Sequence, residues 1–359
     1  MDSNQPTGNN MDKSRIFQIA IVAPVHIQPS KEWIESLQSV TRGKKNVRVI
    51  IVDDSNGKVE LPGDWTVYDY LAQEELLGPE MYKRFEVFHK SSACKSIGSF
   101  IAWKTGMDIV IGLDSDCIVP PNFISSHLEA MLSTAGGWTN PIAKTGWYAR
   151  GYPYAERHRQ VIGNLGLWEH ELDIYGKDRV EMGTPPSSPM VTVSHLVADG
   201  FLPFSGMNWA IWAWAVPAFL FLPNFEYLHG DDKNYRFRRH DDIWGGYIFQ
   251  SCMNLLGCRL AYGDPVVYHD TIVDAVKDAE EEEAMVEFES FFYNAVDSAF
   301  AKIVAMDTYE DTFKAFAKIV EVDWIGTEFE PLIEPIRFWS ELFSNSHIDD
   351  AIDGDPDSL

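Results

Sequence analysis

Residues 107–120, with the sequence MDIVIGLDSDCIVP, decide how the rest of the chain is interpreted. Their first half is a short apolar run between turn-forming residues, which is typical of a buried strand. Asp114 and Asp116 follow two residues apart, and in an extended chain such residues point to the same side. We therefore predict that the two carboxylates converge at the carboxyl end of a parallel strand, where open α/β sheets bind their ligands.

A divalent cation would remove the repulsion between two carboxylates placed so close together, and it can also bind a diphosphate. Asp114 and Asp116 are therefore candidate ligands for Mn²⁺ or Mg²⁺ and candidate contacts to the phosphates. The alternative is a solvated turn after a strand, which is the more common meaning of an isolated Asp-x-Asp pattern.

Two earlier apolar runs repeat the pattern of a strand followed by polar residues. Residues 16–23 form the first run, which ends at Pro24, and residues 47–52 form the second, which ends at Asp53 and Asp54. The segment between them has helical spacing, so the three predict the start of a doubly wound α/β sheet. Pro24 begins the loop at the carboxyl end of the first strand, and an Asp after the second strand often binds the sugar or base of a nucleotide, so Pro24, Asp53 and Asp54 are candidate nucleotide contacts. The first turn lacks Gly-x-Gly-x-x-Gly, which argues against a dinucleotide or flavin.

The next segment contains a second candidate phosphate contact. Residues 56–85 look irregular, apart from a short strand around Trp65, Tyr68 and Tyr70 and a turn at Gly78-Pro79. Residues 91–105 have the spacing of a helix with one apolar face, and Lys95 lies in its first turn. The amino end of a helix together with a lysine can bind a diphosphate, although a solvated lysine is the more common outcome.

Three further polar features lie between residues 135 and 270. Residues 135–189 look rich in loops, and Arg150 lies there among aromatic residues, where it suits stacking or phosphate binding as well as ordinary surface packing. Asp241 and Asp242 begin a predicted helix, which one of them would cap while the other faces an active centre. His269 ends the last predicted strand, and near a carboxylate pair it is a candidate third metal ligand.

The predicted domain organisation follows from these patterns. We expect a flexible leader at residues 1–14, a nucleotide-binding α/β domain at 15–270, a helical appendage at 271–345 and an acidic tail at 346–359. Residues 280–283 are four consecutive glutamates at a helix start, which favours an exposed charged face.

Composition limits the partners of the chain. It has 29 Lys and Arg against 54 Asp and Glu, a net charge of −25, which argues against nucleic acid and against an anionic membrane surface. The longest apolar stretch, residues 209–222, is shorter than the roughly 20 residues of a membrane span and contains Pro217. The four cysteines are scattered and no secretory leader precedes them, so we expect a reducing, cytoplasmic setting.

Taken in order, several motifs resemble those of the reversibly glycosylated polypeptides, the family that includes the plant UDP-arabinopyranose mutases. The resemblance runs from about residue 19 to residue 268 and rests on Ser92-Ala93-Cys94-Lys95, Asp114-Ser115-Asp116-Cys117, Arg150-Gly151-Tyr152-Pro153-Tyr154, Gly166-Leu167-Trp168, Gly206-Met207-Asn208, Arg239-His240-Asp241-Asp242-Ile243-Trp244-Gly245-Gly246 and His269. It departs from the family at Ser115, where three consecutive aspartates are usual, and at Asp53-Asp54-Ser55, where Asp-Gly-Asp is usual.

The resemblance implies a GT-A-like fold, a UDP-sugar as substrate and a divalent metal held by Asp114, Asp116 and His269. It also implies that Arg150 is the reversibly glycosylated arginine and that Asp241 and Asp242 lie beside the sugar. We expect a flavin-independent mutase that interconverts the pyranose and furanose forms of a UDP-sugar such as UDP-arabinopyranose. A glycosyltransferase, self-glycosylating or acting on a separate acceptor, is the alternative, and a non-catalytic UDP-sugar-binding scaffold is the third. Assembly with further copies or with related subunits remains open.

Overall fold

The computed structural model describes residues 15–55, 57–135, 150, 159–183, 196–197, 200–228, 230, 233–304 and 306–344. The predicted leader and acidic tail lie outside these residues. In the described part the strands are β1 (Ile19–Val25), β2 (Val47–Asp53), β3 (Thr66–Tyr68), β4 (Ile109–Leu113), β5 (Cys117–Ile118), β6 (Thr134–Ala135), β7 (Arg159–His170), β8 (Leu196–Val197), β9 (Asn208–Trp212), β10 (Phe225–Leu228), β11 (Asn234–Phe237) and β12 (Arg259–His269). The helices are α1 (Lys31–Thr41), α2 (Tyr70–Phe85), α3 (Lys95–Lys104), α4 (Phe123–Met131), α5 (Gly176–Met182), α6 (Asp241–Leu255), α7 (Ala275–Phe300), α8 (Tyr309–Asp323) and α9 (Ile333–Leu342).

The main sheet has the order β3-β2-β1-β4-β9-β7-β12-β5, with β6 and β8 at its side. Strands β3, β2, β1 and β4 run parallel, as do β7 and β12, and β9 lies between the two groups antiparallel to both. All seven residues of β1 are buried, as expected for a parallel strand covered on both faces. The prediction of an α/β fold with a mostly parallel sheet and helices at the C-terminus is confirmed.

Helix α1 begins at a side-chain cap, and α3 begins at Lys95, four residues later than the predicted start at residue 91. The hydroxyl of Ser30 accepts a hydrogen bond from the Trp33 amide at 3.1 Å and caps α1. Helix α3 follows a short 3-10 helix (Ser92–Cys94) and lies directly on the sheet. A Cβ atom at Gly98 would come within 2.5 Å of Val22 Cγ1, so the close approach of α3 to β1 requires a glycine there.

Two segments differ from the prediction. Residues 70–85 form α2 and are not irregular, because Asp69 caps the helix and the backbone absorbs Gly78-Pro79 as a kink, with Gly78 at φ 75°. Tyr70 therefore begins this helix and does not extend β3. Residues 135–189 are not loop-rich throughout, since they contain the twelve-residue β7 and the helix α5.

The C-terminal helices pack onto the sheet domain and share its core. Trp244 of α6 stacks on Phe292 of α7 with ring centroids 4.1 Å apart, and Trp339 of α9 donates a hydrogen bond to the Pro217 carbonyl at 3.1 Å. Glu282 in the run of glutamates is buried, so the predicted exposed face is wrong at this position. No helix in the described part of the chain is both long and apolar enough to cross a membrane.

Candidate active site

Strands β1, β2 and β4 end at one edge of the sheet and bring several predicted site residues there. The register pairs Val25 of β1 with Asp53 of β2, and Val22 with Gly112 of β4. The residues directly after the ends of these three strands are His26, Asp54 and Asp114. Because parallel strands place their carboxyl ends together, this edge collects polar side chains from distant parts of the sequence.

Asp114 and Asp116 lie in a tight turn and not in an extended strand. Strand β4 ends at Leu113, and the Cys117 amide donates to the Asp114 carbonyl at 3.1 Å as the chain turns into β5. The predicted alignment of the two carboxylates by extended backbone is therefore wrong, because the turn directs them to different partners. Asp114 contacts Lys95, whereas Asp116 faces His269.

Lys95 is fully buried, so the alternative of a solvated lysine is wrong. Its Nζ forms an ion pair with Asp114 Oδ1, donates to the Gly206 carbonyl at 2.8 Å and lies 5.0 Å from the centroid of the Phe221 ring. Burial alone would lower the pKa of Lys95, but the charge of Asp114 and the hydrogen bond to it raise that pKa above its ordinary value. Burial raises the pKa of Asp114 in turn, but the ion pair favours the charged form of Lys95 directly behind that carboxyl group.

His269 ends β12 with its ring held in one orientation. Its Nδ1 lies 2.8 Å from the Glu171 carbonyl, which can only accept, so Nδ1 carries a hydrogen. Its Nε2 lies 3.5 Å from Asp116 Oδ2. Burial would lower the pKa of His269, but Asp116 raises it above the ordinary value. Between Nε2 and the carboxylate, a proton or a cation is required to make this contact favourable.

Asp241 and Asp242 are the first two residues of α6 and do not cap it. The N-cap is His240, whose side chain makes no capping bond, so the capping prediction is wrong by one residue. Asp241 accepts from the Ser92 hydroxyl, and Asp242 accepts from the Gly206 amide at 2.7 Å. Burial, and then the charge of Asp241, raise the pKa of Asp242 well above its ordinary value. The adjacent pair therefore tends to retain a proton.

The three predicted nucleotide contacts are engaged within the protein. Pro24 is buried inside β1, which continues to Val25. Asp53 accepts from the amides of Ser55 and Gly57, both at 2.8 Å, and so closes its own turn. Asp54 is buried and binds His26 and Tyr70.

Arg150 is exposed. Residues 136–149 and 151–158 on either side of it lie outside the described residues, so its role stays a prediction.

One cavity of about 870 Å³ brings the other predicted groups together. Asp114, Asp116, His269, Asp241 and Asp242 all line it, whereas Lys95 lies behind its wall. Several other lining residues were not predicted from the sequence, namely Asp173, Tyr175, Arg179, Tyr247, Glu289 and Tyr293. Asp173 accepts from the Ser205 hydroxyl at 2.9 Å and lies three residues after the end of β7, a strand that the sequence did not predict.

The model of the family described as reversibly glycosylated polypeptide matches residues 18–346. The chain belongs to this family, and the match includes the helical segment after residue 270. Family membership and the sheet described above bear out the GT-A-like fold class and identify a nucleotide-sugar-using enzyme. No curated protein matches the chain.

Solved structures with a similar course of the chain are remote in sequence. Glucosyl-3-phosphoglycerate synthase from Mycobacterium tuberculosis is 15% identical, with a TM-score of 0.41 over 80% of this chain and 81% of the other. TarS 1–349 of S. aureus in complex with UDP-GlcNAc is 11% identical, with a TM-score of 0.39 over 92% and 91%. The mannosyltransferase PcManGT from Pyrobaculum calidifontis in complex with GDP-Man and Mn²⁺ is 9% identical, with a TM-score of 0.35 over 99% and 92%. At these scores the similarity supports no statement about chemistry.

Proposed function

We propose that the protein is a metal-dependent, flavin-independent UDP-sugar mutase that interconverts pyranose and furanose forms, with a UDP-arabinopyranose-like substrate. The observation that carries this proposal is the pairing of Asp116 with His269 in the same cavity as Asp241 and Asp242. Membership of the reversibly glycosylated polypeptide family supports the same conclusion.

Asp116 and His269 fit a divalent metal. Two ligands in adjacent positions around such an ion lie about 3 Å apart, because each metal–ligand bond measures about 2.1 Å. The observed 3.5 Å between Asp116 Oδ2 and His269 Nε2 is close to this value. The Glu171 carbonyl orients the imidazole from behind, as supporting residues commonly do at metal sites. Mn²⁺ or Mg²⁺ bound here would neutralise the charge of the departing diphosphate.

Protein side chains have separate roles in the remaining steps. When the bond between the anomeric carbon and the phosphate oxygen breaks, its electron pair goes to UDP, and Lys95 fixes Asp114 next to that position. The positively charged anomeric centre needs a nearby carboxylate, which Asp241 supplies, while the proton retained on the pair can be given to a sugar oxygen by Asp242. Arg150 would accept the sugar on a guanidinium nitrogen and release one proton to solvent, and after the change of ring size the sugar would return to UDP while Arg150 regains its proton, as the family implies.

The first experiment is to incubate the purified protein with UDP-arabinopyranose and Mn²⁺, without acceptor, and to separate the nucleotide sugars by chromatography. We expect a furanose product that disappears with a chelator and in Asp116→Asn, His269→Gln and Arg150→Ala. Arg236→Ala removes an exposed arginine of β11 and should leave the product unchanged. An unchanged substrate under all conditions would overturn the mutase proposal.

The size of the cavity supports a second candidate function. It extends from Asp116 to Tyr175, Tyr247 and Tyr293 at the helical side, so its lining continues beyond the candidate metal ligands. A glycosyltransferase would hold its acceptor there. Release of UDP that depends on an added carbohydrate acceptor, without a furanose product, would favour this alternative.

A further inference from the structure

A cluster of three metal-ligating side chains lies at the ends of β1 and β2, and none of the three lines the cavity that contains Asp116 and His269. In the part of the chain that the structure describes, His26, Asp54 and Cys94 are the one group of three such residues whose ligand atoms all lie within 4.8 Å of one another. We propose that these residues form a second metal site, selective for a borderline-soft divalent cation of the zinc type.

The fold brings the three residues together from separate segments. His26 follows β1, Asp54 follows β2, and Cys94 ends the short 3-10 helix before α3. His26 Nδ1 lies 2.8 Å from Asp54 Oδ2, a hydrogen-bond distance that would widen to about 3.3 Å when both atoms bind one tetrahedral ion. Cys94 is a free thiol and fully buried, and among the described residues its sulfur makes no hydrogen bond. A buried thiol next to an imidazole and a carboxylate supplies the three donor types that commonly bind zinc.

A supporting shell fixes the carboxylate of this cluster. The Tyr70 hydroxyl donates to Asp54 Oδ1 at 2.6 Å, and the Lys90 amide donates to Asp54 Oδ2. The Tyr70 ring stacks on His89 with centroids 4.4 Å apart, which restrains the hydroxyl. Ligating carboxylates are commonly held by hydrogen bonds of this kind.

Charge and access both suit a divalent ion. A thiolate, a carboxylate and a neutral imidazole around M²⁺ have no net charge, which lowers the cost of burial. Binding replaces the Cys94 thiol proton by a sulfur–metal bond, and the proton leaves to solvent. The side chain of His26 is 39% exposed, so ions can enter at this residue and water can complete the coordination.

The donor set separates this site from the first one. Thiolate and imidazole favour zinc over Mg²⁺ or Mn²⁺, whereas a carboxylate with diphosphate oxygens favours the harder ions. The proposal stands independently of the proposed mutase activity, because it depends only on the three ligands and their shell.

Cobalt binding tests the proposal directly, because a Co²⁺–thiolate bond has a charge-transfer absorption band in the near ultraviolet. Full-length protein freed of metal by a chelator is titrated with Co²⁺. We expect the band to saturate at one equivalent, to persist in excess Mg²⁺ and to disappear when Zn²⁺ is added. Cys94→Ser should abolish the band, and His26→Ala should weaken cobalt binding at least about tenfold.

Two cysteine controls make the assignment specific. Cys252→Ser alters a buried cysteine of α6, and Cys117→Ser alters the cysteine whose sulfur lies 3.7 Å from Asp116 Oδ1. Both variants should keep the band. The absence of a band in the folded wild-type protein, or its loss in Cys117→Ser with retention in Cys94→Ser, would overturn the proposal. His26 is partly exposed, so His26→Ala tests the site even where Cys94→Ser fails to fold.

Discussion

At the scale of single residues, Lys95 places a buried ammonium group where the carboxylate of Asp114 needs it. In Lys95→Met the aliphatic volume remains, but Asp114 and the Gly206 carbonyl lose their partner. Removing one member of a buried ion pair is strongly destabilising, so we expect a loss of about 3 kcal/mol in the free energy of unfolding, measured by urea denaturation. We also expect weaker binding of UDP, measured by calorimetry.

A double variant separates the ion pair from simple packing. Lys95→Met combined with Asp114→Asn removes both charges, and we expect it to recover part of the lost stability. Lys104→Met is a suitable control, because Lys104 is at the end of the same helix and is only half-buried. Equal losses in the single and the double variant would contradict the view that the unpaired charge of Asp114 causes the loss.

His240 is a second residue whose environment has a measurable consequence. It is buried against the rings of Phe225 and Trp244, and burial lowers its pKa from the ordinary 6.5 to about 3. The unfolded chain therefore binds a proton below pH 6.5 that the folded chain does not bind. The stability contributed by neutral His240 is present above pH 6.5 and is lost as the pH falls toward 3.

The size of this effect follows from the same linkage. Between pH 7 and pH 5 the wild-type protein should lose about 2 kcal/mol that His240→Phe does not lose. Denaturant unfolding at a series of pH values measures the difference. Parallel curves for wild type and His240→Phe would contradict the prediction.

At the scale of elements, α7 is tied to the start of α6 by buried Glu282. Its two oxygens accept from the Gly176 amide at 2.8 Å and from Arg239 Nε at 3.1 Å. Arg239 has φ 55°, which is uncommon for a residue with a side chain, and it precedes His240 and Asp241 directly. The ion pair with α7 therefore helps to hold the strained turn that positions the acidic pair.

Glu282→Ala should lower both stability and turnover. The Gly176 amide loses its acceptor in a place without room for adjustment, because a Cβ on Gly176 would come within 2.3 Å of the Ala279 nitrogen. We expect a loss of about 1–3 kcal/mol in unfolding free energy, together with a lower kcat and little change in UDP affinity. Glu283→Ala on the exposed face of α7 is the matched control. A change in UDP affinity alone would contradict this role.

Elements could be predicted where the signal is local. The apolar runs of β1, β2, β4 and β12 are such signals, and so is the Ser30 cap. Strand β7 has no such signal, since its sequence contains Gly163, Asn164 and Gly166. It forms a strand because the glycines allow close contact and because Asn164 has partners in His127 and the Asp264 carbonyl. These partners belong to other elements, so the sequence of β7 alone does not show them.

The site follows the same rule. Asp116 and His269 could be related from the sequence because both lie at strand ends, and strand ends meet at one edge. The ion pair of Lys95 with Asp114 could not be predicted from the sequence, because it depends on how α3 lies against the sheet. The burial of Glu282 could not be predicted for a similar reason, because four consecutive glutamates do not show which one is buried.

At the scale of the whole molecule, the C-terminal helices share one continuous core with the sheet domain. Aromatic side chains of the sheet domain contact the C-terminal helices at several places. Trp244 stacks on Phe292, Phe88 packs against Phe338 at 5.9 Å, and Trp339 binds the Pro217 carbonyl. A chain ending at residue 270 would expose this surface to water, so we expect it to be unable to fold alone.

The full-length protein should therefore unfold in one cooperative transition. Circular dichroism and tryptophan fluorescence, followed together in guanidinium chloride, should give coincident curves. Phe292→Ala removes a fully buried ring and should shift both curves by the equivalent of about 3–5 kcal/mol, whereas Phe291→Ala, at a 59% exposed position on the same helix, should shift neither. Two separate transitions, with Phe292→Ala affecting only one, would mean that the appendage folds independently. The tie between Glu282 and Arg239 could then not be maintained once the appendage had unfolded, and activity would be lost at the first transition.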